Sequence, residues 1–378
     1  MCPAMRRTDA TPRAQAIVES PPLRATPSAT AGFGQRVRHQ FASDYFRMTS
    51  VGTTVSSIGL GSYLGESADA DDAAYEAAVQ HAIRAGINVL DTAINYRCQR
   101  SERAFGSALQ RVLSAGDASR QELVICSKAG YIPLDRTPPA NRDAYAAYVR
   151  REFIEPEILR AEEIVAGGHS LAPRFLRYCL AKSRQNLGVR TIDLYYLHNP
   201  EQQLGTVTPA ELRTRIRAAF ALLEDAVSRG EIAAYGVATW DGLRVLANDK
   251  RHLSLVDLVE NAKQVAGEAH HFRAIQLPIN LAMQEGVRLP NQDLDGQLVT
   301  VVEAAADLGL SVFGSATLMQ SKLTSGLPES LHAHFPRCRT DAQRAIAFAR
   351  TLPGVTTALV GMKNTHHVTE NIGSATDT

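Results

Sequence analysis

From about Phe46 onward the chain repeats one unit: a short run of branched apolar residues, a loop, an amphipathic helix, a glycine, then the next run. The runs are Val55 to Leu60, Ile87 to Leu90, Leu123 to Ser127, Ile192 to Leu197, Ile232 to Val237, Ala274 to Leu277, Leu310 to Gly314 and Thr357 to Val360. Strands joined by helical crossovers pair in parallel, and eight of them in alternation with helices predict a closed parallel (β/α)8 barrel, the TIM-barrel architecture. The helix ends agree. Gly86, Gly188, Gly230 and Gly309 each follow a helical pattern and precede a run, where glycine supplies the left-handed conformation that ends a helix. Stripes such as Tyr75, Ala78, Val79, Ala82 and Ile83, or Leu212, Ile216, Phe220, Leu223 and Val227, give those helices one apolar face for a core.

A barrel of this kind takes about 250 residues, so a chain of 378 has a surplus to place. Part of it precedes the barrel. The first 30 or so residues are rich in Pro, Ala, Ser, Thr and Arg, with only Asp9 and Glu19 acidic. We read residues 1–45 as a flexible N-terminal arm and 46–378 as the barrel. The rest falls mainly in residues 130–173 after the third strand, a loop long enough to overhang the barrel mouth. It carries Tyr131, Tyr145, Tyr148, Arg150, Arg151 and His169 as residues that could touch a substrate.

Bulk properties exclude several function classes. A formal net charge of +1 gives no electrostatic reason to bind nucleic acid or an anionic membrane surface. No apolar run approaches the roughly 20 residues of a membrane span. Five scattered cysteines without a C-x-x-C pair argue against a disulfide framework or a zinc site and fit a reducing cytoplasm. The expectation is a soluble, cytoplasmic, metal-free protein acting on a small molecule, with its oligomeric state open.

Four polar residues stand where apolar runs end: Asp91, Tyr96 just beyond it, Lys128 and His198. In a parallel barrel the carboxyl ends of the strands share one mouth, so these four side chains converge. A phenol has a pKa of roughly 10 and is a weak acid at neutral pH. A lysine cation beside it favours the phenolate, a carboxylate keeps that lysine charged and placed, and a neutral imidazole can donate one N–H to a carbonyl oxygen. The combination points to proton delivery onto a carbonyl.

Two patterns point to other dehydrogenase folds. Gly59-Leu60-Gly61-Ser62-Tyr63-Leu64-Gly65 follows a strand like a dinucleotide-binding turn, yet the polar stretch Glu66 to Asp71 stands where that turn would open a helix. Tyr178 and Lys182 form a Tyr-x-x-x-Lys pair on a helix leading to the fourth strand, without a serine at the usual spacing upstream.

From about Val51 to Ile372 the chain resembles the aldo-keto reductase family. The resemblance is carried by Asp91-Thr92-Ala93-Ile94-Asn95-Tyr96, by Ser101-Glu102-Arg103-Ala104-Phe105-Gly106, by Lys128 closing the third strand, by Asp193 to His198 closing the fourth, and by Glu231 to Thr239 running into Trp240. It implies that Tyr96 is the general acid, that Lys128 and Asp91 assist its proton transfer, that His198 directs the substrate carbonyl, and that NADP(H), with NAD(H) as the alternative, carries the hydride without a metal. It also implies a cofactor path against Gly61, Ser62, Tyr63, Asp91 and Thr239, with Gln276 on the nicotinamide carboxamide and Ser315 to Leu318 on the pyrophosphate. Gly361, Lys363, Asn364, His367, Glu370 and Asn371 would serve the adenosine phosphate, ribose and adenine.

The chain departs from the family pattern in places. Thr239 replaces an asparagine beside the carboxamide, Gly314 replaces the aromatic that stacks on the nicotinamide, and His367 replaces a basic residue. The C-terminal loop is nearly absent, so specificity is expected from Tyr63, Cys98, Tyr131, Trp240 and the long loop, a set suited to sugar-like or other polar aldehydes and ketones. The alternative reading is a nicotinamide-sensing regulatory or scaffold protein on the same barrel.

Overall fold

The structure is a computed structural model that describes residues 23–376. Eight parallel strands form a closed barrel: β1 (Ile58–Gly61), β2 (Val89–Asp91), β3 (Val124–Ala129), β4 (Ile192–His198), β5 (Ile232–Ala238), β6 (Phe272–Pro278), β7 (Ser311–Ser315) and β8 (Val355–Gly361). Each pairs with its neighbour in sequence, and β8 closes on β1. The glycines expected to end helices do so, with φ of +96° at Gly86, +65° at Gly188, +70° at Gly230 and +67° at Gly309.

The first expected strand is divided. Thr54–Ser56 pairs antiparallel with Phe46–Met48, and only Ile58–Gly61 enters the barrel. The change of partner falls at Ser57, whose amide still donates to the Tyr45 carbonyl at 2.7 Å while its own carbonyl accepts from the Ala358 amide of β8 at 2.8 Å.

The N-terminal arm also differs from expectation. Residues 1–22 lie outside the described residues, but from residue 23 the chain is built into the base. Helix Pro27–Val37 starts with Thr26 Oγ1 accepting from the Ala29 amide and with proline at its first position, and it buries Phe33 and Gly34. Phe41 then stacks on Tyr45 with ring centroids 3.8 Å apart. The helix escaped sequence reading because Phe33 is nearly alone as a large apolar anchor among small residues, which leaves little periodicity to see.

Alternation along the strands decides what fills the barrel. Val89, Val124, Cys126, Leu194, Tyr196, Ala234, Ala274, Phe313 and Leu359 form one buried cluster inside it, with Val55 of the hairpin and Ala25 of the arm in the same cluster. Two glycines answer to this crowding. A Cβ on Gly236 would stand 2.9 Å from the Tyr196 ring, and one on Gly59 would stand 2.7 Å from Leu359. Gly59 therefore serves interior packing, which disposes of the dinucleotide-turn pattern on its own residues.

Counting on by two along each strand from the cluster reaches Asp91, Lys128, His198, Ala238, Gln276, Ser315 and Gly361. These residues make the top layer of the interior. The base is held by Asp193 at the start of β4, whose Oδ1 accepts from the Ala25 amide at 2.7 Å, while Oδ2 accepts from the Ile125 amide at 2.8 Å and from Arg120 Nη2 at 2.6 Å. Asp193→Ala leaves the amides of Ala25 and Ile125 without acceptors and removes the counter-charge of the partly buried Arg120, which keeps only the Leu123 and Thr191 carbonyls. It should lower unfolding stability by about 3–5 kcal/mol in urea titration without moving any group at the opposite end.

Candidate active site

The top layer opens into a cleft of about 430 Å³ at the carboxyl ends of the strands. Asp91, Tyr96 and His198 line it, and Lys128 lies buried beneath. Lys128 Nζ donates to Asp91 Oδ2 at 2.6 Å and to the Thr92 carbonyl at 2.9 Å, and stands 5.0 Å from the centre of the Tyr96 ring. The Tyr96 and His198 rings meet edge to face with centroids 5.8 Å apart. The four residues that the sequence singled out thus gather at one place.

Burial and charge act on them in opposite senses. Burial is the largest influence on the Lys128 ammonium and works against it, but Asp91, joined by Tyr96 and Cys126, holds the lysine above its ordinary value. Burial pushes the Tyr96 phenol up and exceeds the downward pull of Lys128, so the net direction is upward and the phenol stays protonated. Desolvation, and not the depression by Lys128 expected from the sequence, is the larger influence on Tyr96. Burial first, then Lys128 and His169, hold His198 well below the usual histidine value, so it is neutral. Its Nδ1 is enclosed without a partner among the described residues.

Gln276 shows a contact the sequence did not suggest. Its Nε2 donates to Asp91 Oδ1 at 2.9 Å, so the two carboxylate oxygens are divided between an amide and an ammonium. The signal was available in the strand phase, which places Gln276 in the layer of Asp91.

The long loop after β3 is ordered. It contains helix Arg142–Val149, continued by a π-helical turn at Arg150–Ile154, and returns through a bridge between Tyr131 and His169. Only Tyr131 of its singled-out residues lines the cleft. Tyr145 and Tyr148 donate to loop carbonyls, and Arg150 and Arg151 pair with Glu155 and Glu152. His169 is fully buried: Nε2 donates to the His198 carbonyl at 2.7 Å, while Nδ1 accepts from Gln203 Nε2 at 2.7 Å, and Gln203 Oε1 accepts from Arg215. The loop is therefore fastened to the end of the strand that carries His198.

Of the other expected residues, Gly61, Ser62, Tyr63, Thr239, Trp240, Ser315, Leu318 and Gly361 line the cleft. Thr239 Oγ1 accepts from the Gly242 amide. Cys98 does not line it. The run Arg97, Cys98, Gln99 has φ of +48°, +55° and +67°, which turns the chain from the mouth into helix Arg100–Ala115 and leaves Cys98 buried. Lys363, Asn364, His367, Glu370 and Asn371 also lie beyond the cleft lining. Lys363 pairs with Asp71, Asn364 caps helix Thr365–Ile372, His367 is exposed and Asn371 is buried. Tyr178 and Lys182, the other competing pattern, stand apart from the cleft.

Sequence reading passed over Asn95, Asn199 and Glu201. Asn95 and Asn199 line the cleft, and Asn199 Nδ2 donates to the Tyr131 hydroxyl at 2.9 Å. Glu201 is buried with Oε1 accepting from the amides of Trp240 and Asp241, which sets the turn that presents Trp240. Asn95 lay inside the quoted motif and Asn199 directly after His198, so adjacency was the only signal. Glu201 gave none, since its contacts lie some forty residues away.

Among the described residues no helix is long and apolar enough to cross a membrane, and no cluster of three or more metal-ligating side chains is present. A model of the aldo/keto reductase family matches residues 57–261, more than half of the chain. D-threo-aldose 1-dehydrogenase from a Pseudomonas species is 30% identical over 171 residues, which make up 45% of this chain and 44% of that relative, so under half of that protein's length is matched. In overall shape the chain is similar to an aldo/keto reductase from Klebsiella pneumoniae in complex with NADP and acetate, at a TM-score of 0.58 and 20% identity over 87% of this chain and 89% of the other. It is likewise similar to an aldo-keto reductase from Bacillus halodurans in its holo form, at a TM-score of 0.56 and 17% identity over 87% and 90%.

The buried His169 makes stability depend on pH. Burial lowers its pKa from 6.5 to about 4. The unfolded chain therefore takes up the proton first as pH falls, and stability from this site is complete above 6.5 and drains away on the way down to 4. Between pH 7.5 and 4.5 the protein should lose about 2–3 kcal/mol more than His169→Gln loses, measured by urea unfolding at both pH values. Equal losses would mean that His169 titrates normally.

Proposed function

The chain belongs to the aldo/keto reductase family, and we propose that it is an NAD(P)-dependent oxidoreductase interconverting a carbonyl and an alcohol, with Tyr96 as general acid and base. The observation that carries this reading is the buried Lys128–Asp91 pair directly beneath Tyr96, in the cleft that His198 also lines.

The residues present suit a nicotinamide dinucleotide. The cleft runs from Tyr96 and His198 to the segment after β7, where Ala316, Met319, Gln320 and Ser321 have positive φ. The amides of Thr317, Leu318, Gln320 and Ser321 have no hydrogen-bond partner among the described residues, so they can receive an anionic group such as a pyrophosphate. Gly61, Ser62, Thr239, Gln276 and Gly361 would border the remainder. When bound, the dinucleotide supplies or takes up hydride at the reacting carbon.

The protein's own residues handle the proton. In reduction, Tyr96 gives its hydroxyl proton to the carbonyl oxygen, and the Lys128 cation stabilises the phenolate that forms. Asp91, steadied by Gln276, keeps the ammonium in place. His198, with Nδ1 walled off, presents Nε2 to the carbonyl oxygen and polarises it while neutral. In oxidation the same groups run in reverse, with the phenolate accepting the alcohol proton.

The exposed aromatics Tyr63 and Trp240, with Tyr131, Asn95 and Asn199, give the cleft flat apolar walls and amide groups, a combination that suits a polyhydroxylated substrate such as an aldose. The name of the Pseudomonas relative supports oxidation at the sugar's first carbon as the direction to test first.

Tyr96→Phe should lower turnover by about a hundredfold or more while the dinucleotide still binds, because only the acid is removed. Unchanged turnover would place the proton source elsewhere. Binding is read from Trp240, the one tryptophan of the sequence, which lines the cleft. NADH or NADPH at saturation should quench its fluorescence, and an unaltered spectrum with both would remove the dinucleotide from this cleft. Quenching without turnover across aldoses, aliphatic and aromatic aldehydes and ketones would instead favour a cofactor-sensing role.

A further inference from the structure

A dinucleotide whose reactive ring reaches Tyr96 and His198 lies first over the β2–β4 side of the mouth. The unpartnered amides that suit its pyrophosphate follow β7, on the far side. Its adenosine half would then leave the cleft over the loop after β8, whose first residue, Gly361, lines the cleft and whose Lys363 follows two positions later.

Lys363 is already engaged. Its Nζ is 2.9 Å from both carboxylate oxygens of Asp71, near the start of helix Asp69–Arg84. Asp71 is fixed from the other side by the Glu66 amide, which donates to Oδ2 at 2.6 Å. A Cβ on Gly65, at φ +116°, would meet the same oxygen at 2.5 Å, so the backbone wraps the carboxylate closely. The neighbouring cations are committed as well: Arg97 pairs with Asp72, and Arg100 pairs with Asp69 and Asp72. Arg97 also donates to the Glu66 carbonyl, which ties this loop to the segment bearing Tyr96.

We infer that the Asp71–Lys363 ion pair makes this site select the dinucleotide whose adenosine ribose carries no 2′-phosphate, namely NAD(H) over NADP(H). This rests on the dinucleotide reading of the cleft and reverses the preference for NADP(H) drawn from the sequence. A phosphate monoester bears between one and two negative charges near neutral pH. Arriving at Lys363, it would face the Asp71 carboxylate within hydrogen-bonding distance of that lysine, and like charges so placed oppose binding. A free ribose hydroxyl is instead a donor, and a fixed carboxylate is a good acceptor for it. The Lys363 contact holds the Asp71 carboxyl below the usual range, so this acceptor is charged throughout the neutral region.

The test is direct binding, read by Trp240 quenching and by calorimetry, with no substrate present. The wild-type protein should bind NADH at least about tenfold more tightly than NADPH, and 5′-AMP more tightly than adenosine 2′,5′-bisphosphate. In Asp71→Asn, shown to be folded by its thermal transition, the NADPH to NADH ratio should shift toward NADPH by about the same factor. Wild-type protein binding NADPH as tightly as NADH or more so would overturn the inference and leave the dinucleotide reading intact. A folded Asp71→Asn variant with an unchanged ratio would also overturn it. Binding of neither dinucleotide would overturn both.

Discussion

A lysine with no solvent exposure, bonded to a nearly buried aspartate at the top of a packed barrel, sets the terms for everything around it. Neither charge is tolerable alone there, since the desolvation cost of one buried ion is several kcal/mol. The pair exists because β2 and β3 are adjacent in parallel register, with Asp91 opposite Cys126 and Lys128 two residues further on the same face. The remaining groups then fall into line: Gln276 from β6 takes the second carboxylate oxygen, and the charge of Lys128 helps hold His198 neutral on β4. The ion pair thereby links three sides of the barrel, and the polarity of the mouth follows from it.

How much of this was legible in the sequence depends on the range of the interactions. The eight strands and the helix-ending glycines were readable because period and left-handed backbone are local properties. The quartet was readable because strand ends in a parallel barrel share one mouth. The buried Glu201 was not, because its contacts depend on which residues the closure brings opposite one another, and strand phase shows only that Gln276 shares a layer with Asp91, not that the two bond. The base was misjudged for the same reason. Residues 23–45 have little pattern of their own and become ordered only because Asp193, the hairpin and the barrel bottom exist to receive them. Conversely, Cys98 read as a pocket residue because adjacency to Tyr96 was taken for proximity to the cleft, whereas three left-handed residues turn it aside.

Backbone strain divides the molecule into two ends. At the base, the helix-to-strand turns meet their need for positive φ with glycine at 86, 188, 230, 309 and 354. At the mouth other residues share that task with glycines such as Gly65, Gly167 and Gly326: every described non-glycine residue with positive φ lies in a connection that follows the carboxyl end of a barrel strand. They are Arg97, Cys98 and Gln99 after β2, Arg136, Glu157 and Ala166 after β3, Asn199 after β4, Asp295 after β6, and four residues between Ala316 and Ser321 after β7.

A left-handed non-glycine residue costs on the order of 1–3 kcal/mol and persists only where its surroundings over-determine it. Several of these have such anchors. Arg97 is held by Asp72 and the Glu66 carbonyl, and Asn199 by Tyr131 and by its own amide donating to the Ala238 carbonyl at 2.6 Å. Substituting glycine would relieve the strain and remove the side chains that fasten the loops, so these positions trade local comfort for placement. The segment after β7 differs: the Ala316 carbonyl accepts from the Met319 amide and from Asn280, but the amides of the strained Gln320 and Ser321 have no partner among the described residues. A bound anion is the partner that would repay that conformation, which is why the strain there argues for a ligand while the strain after β2 and β4 argues for the scaffold that receives it.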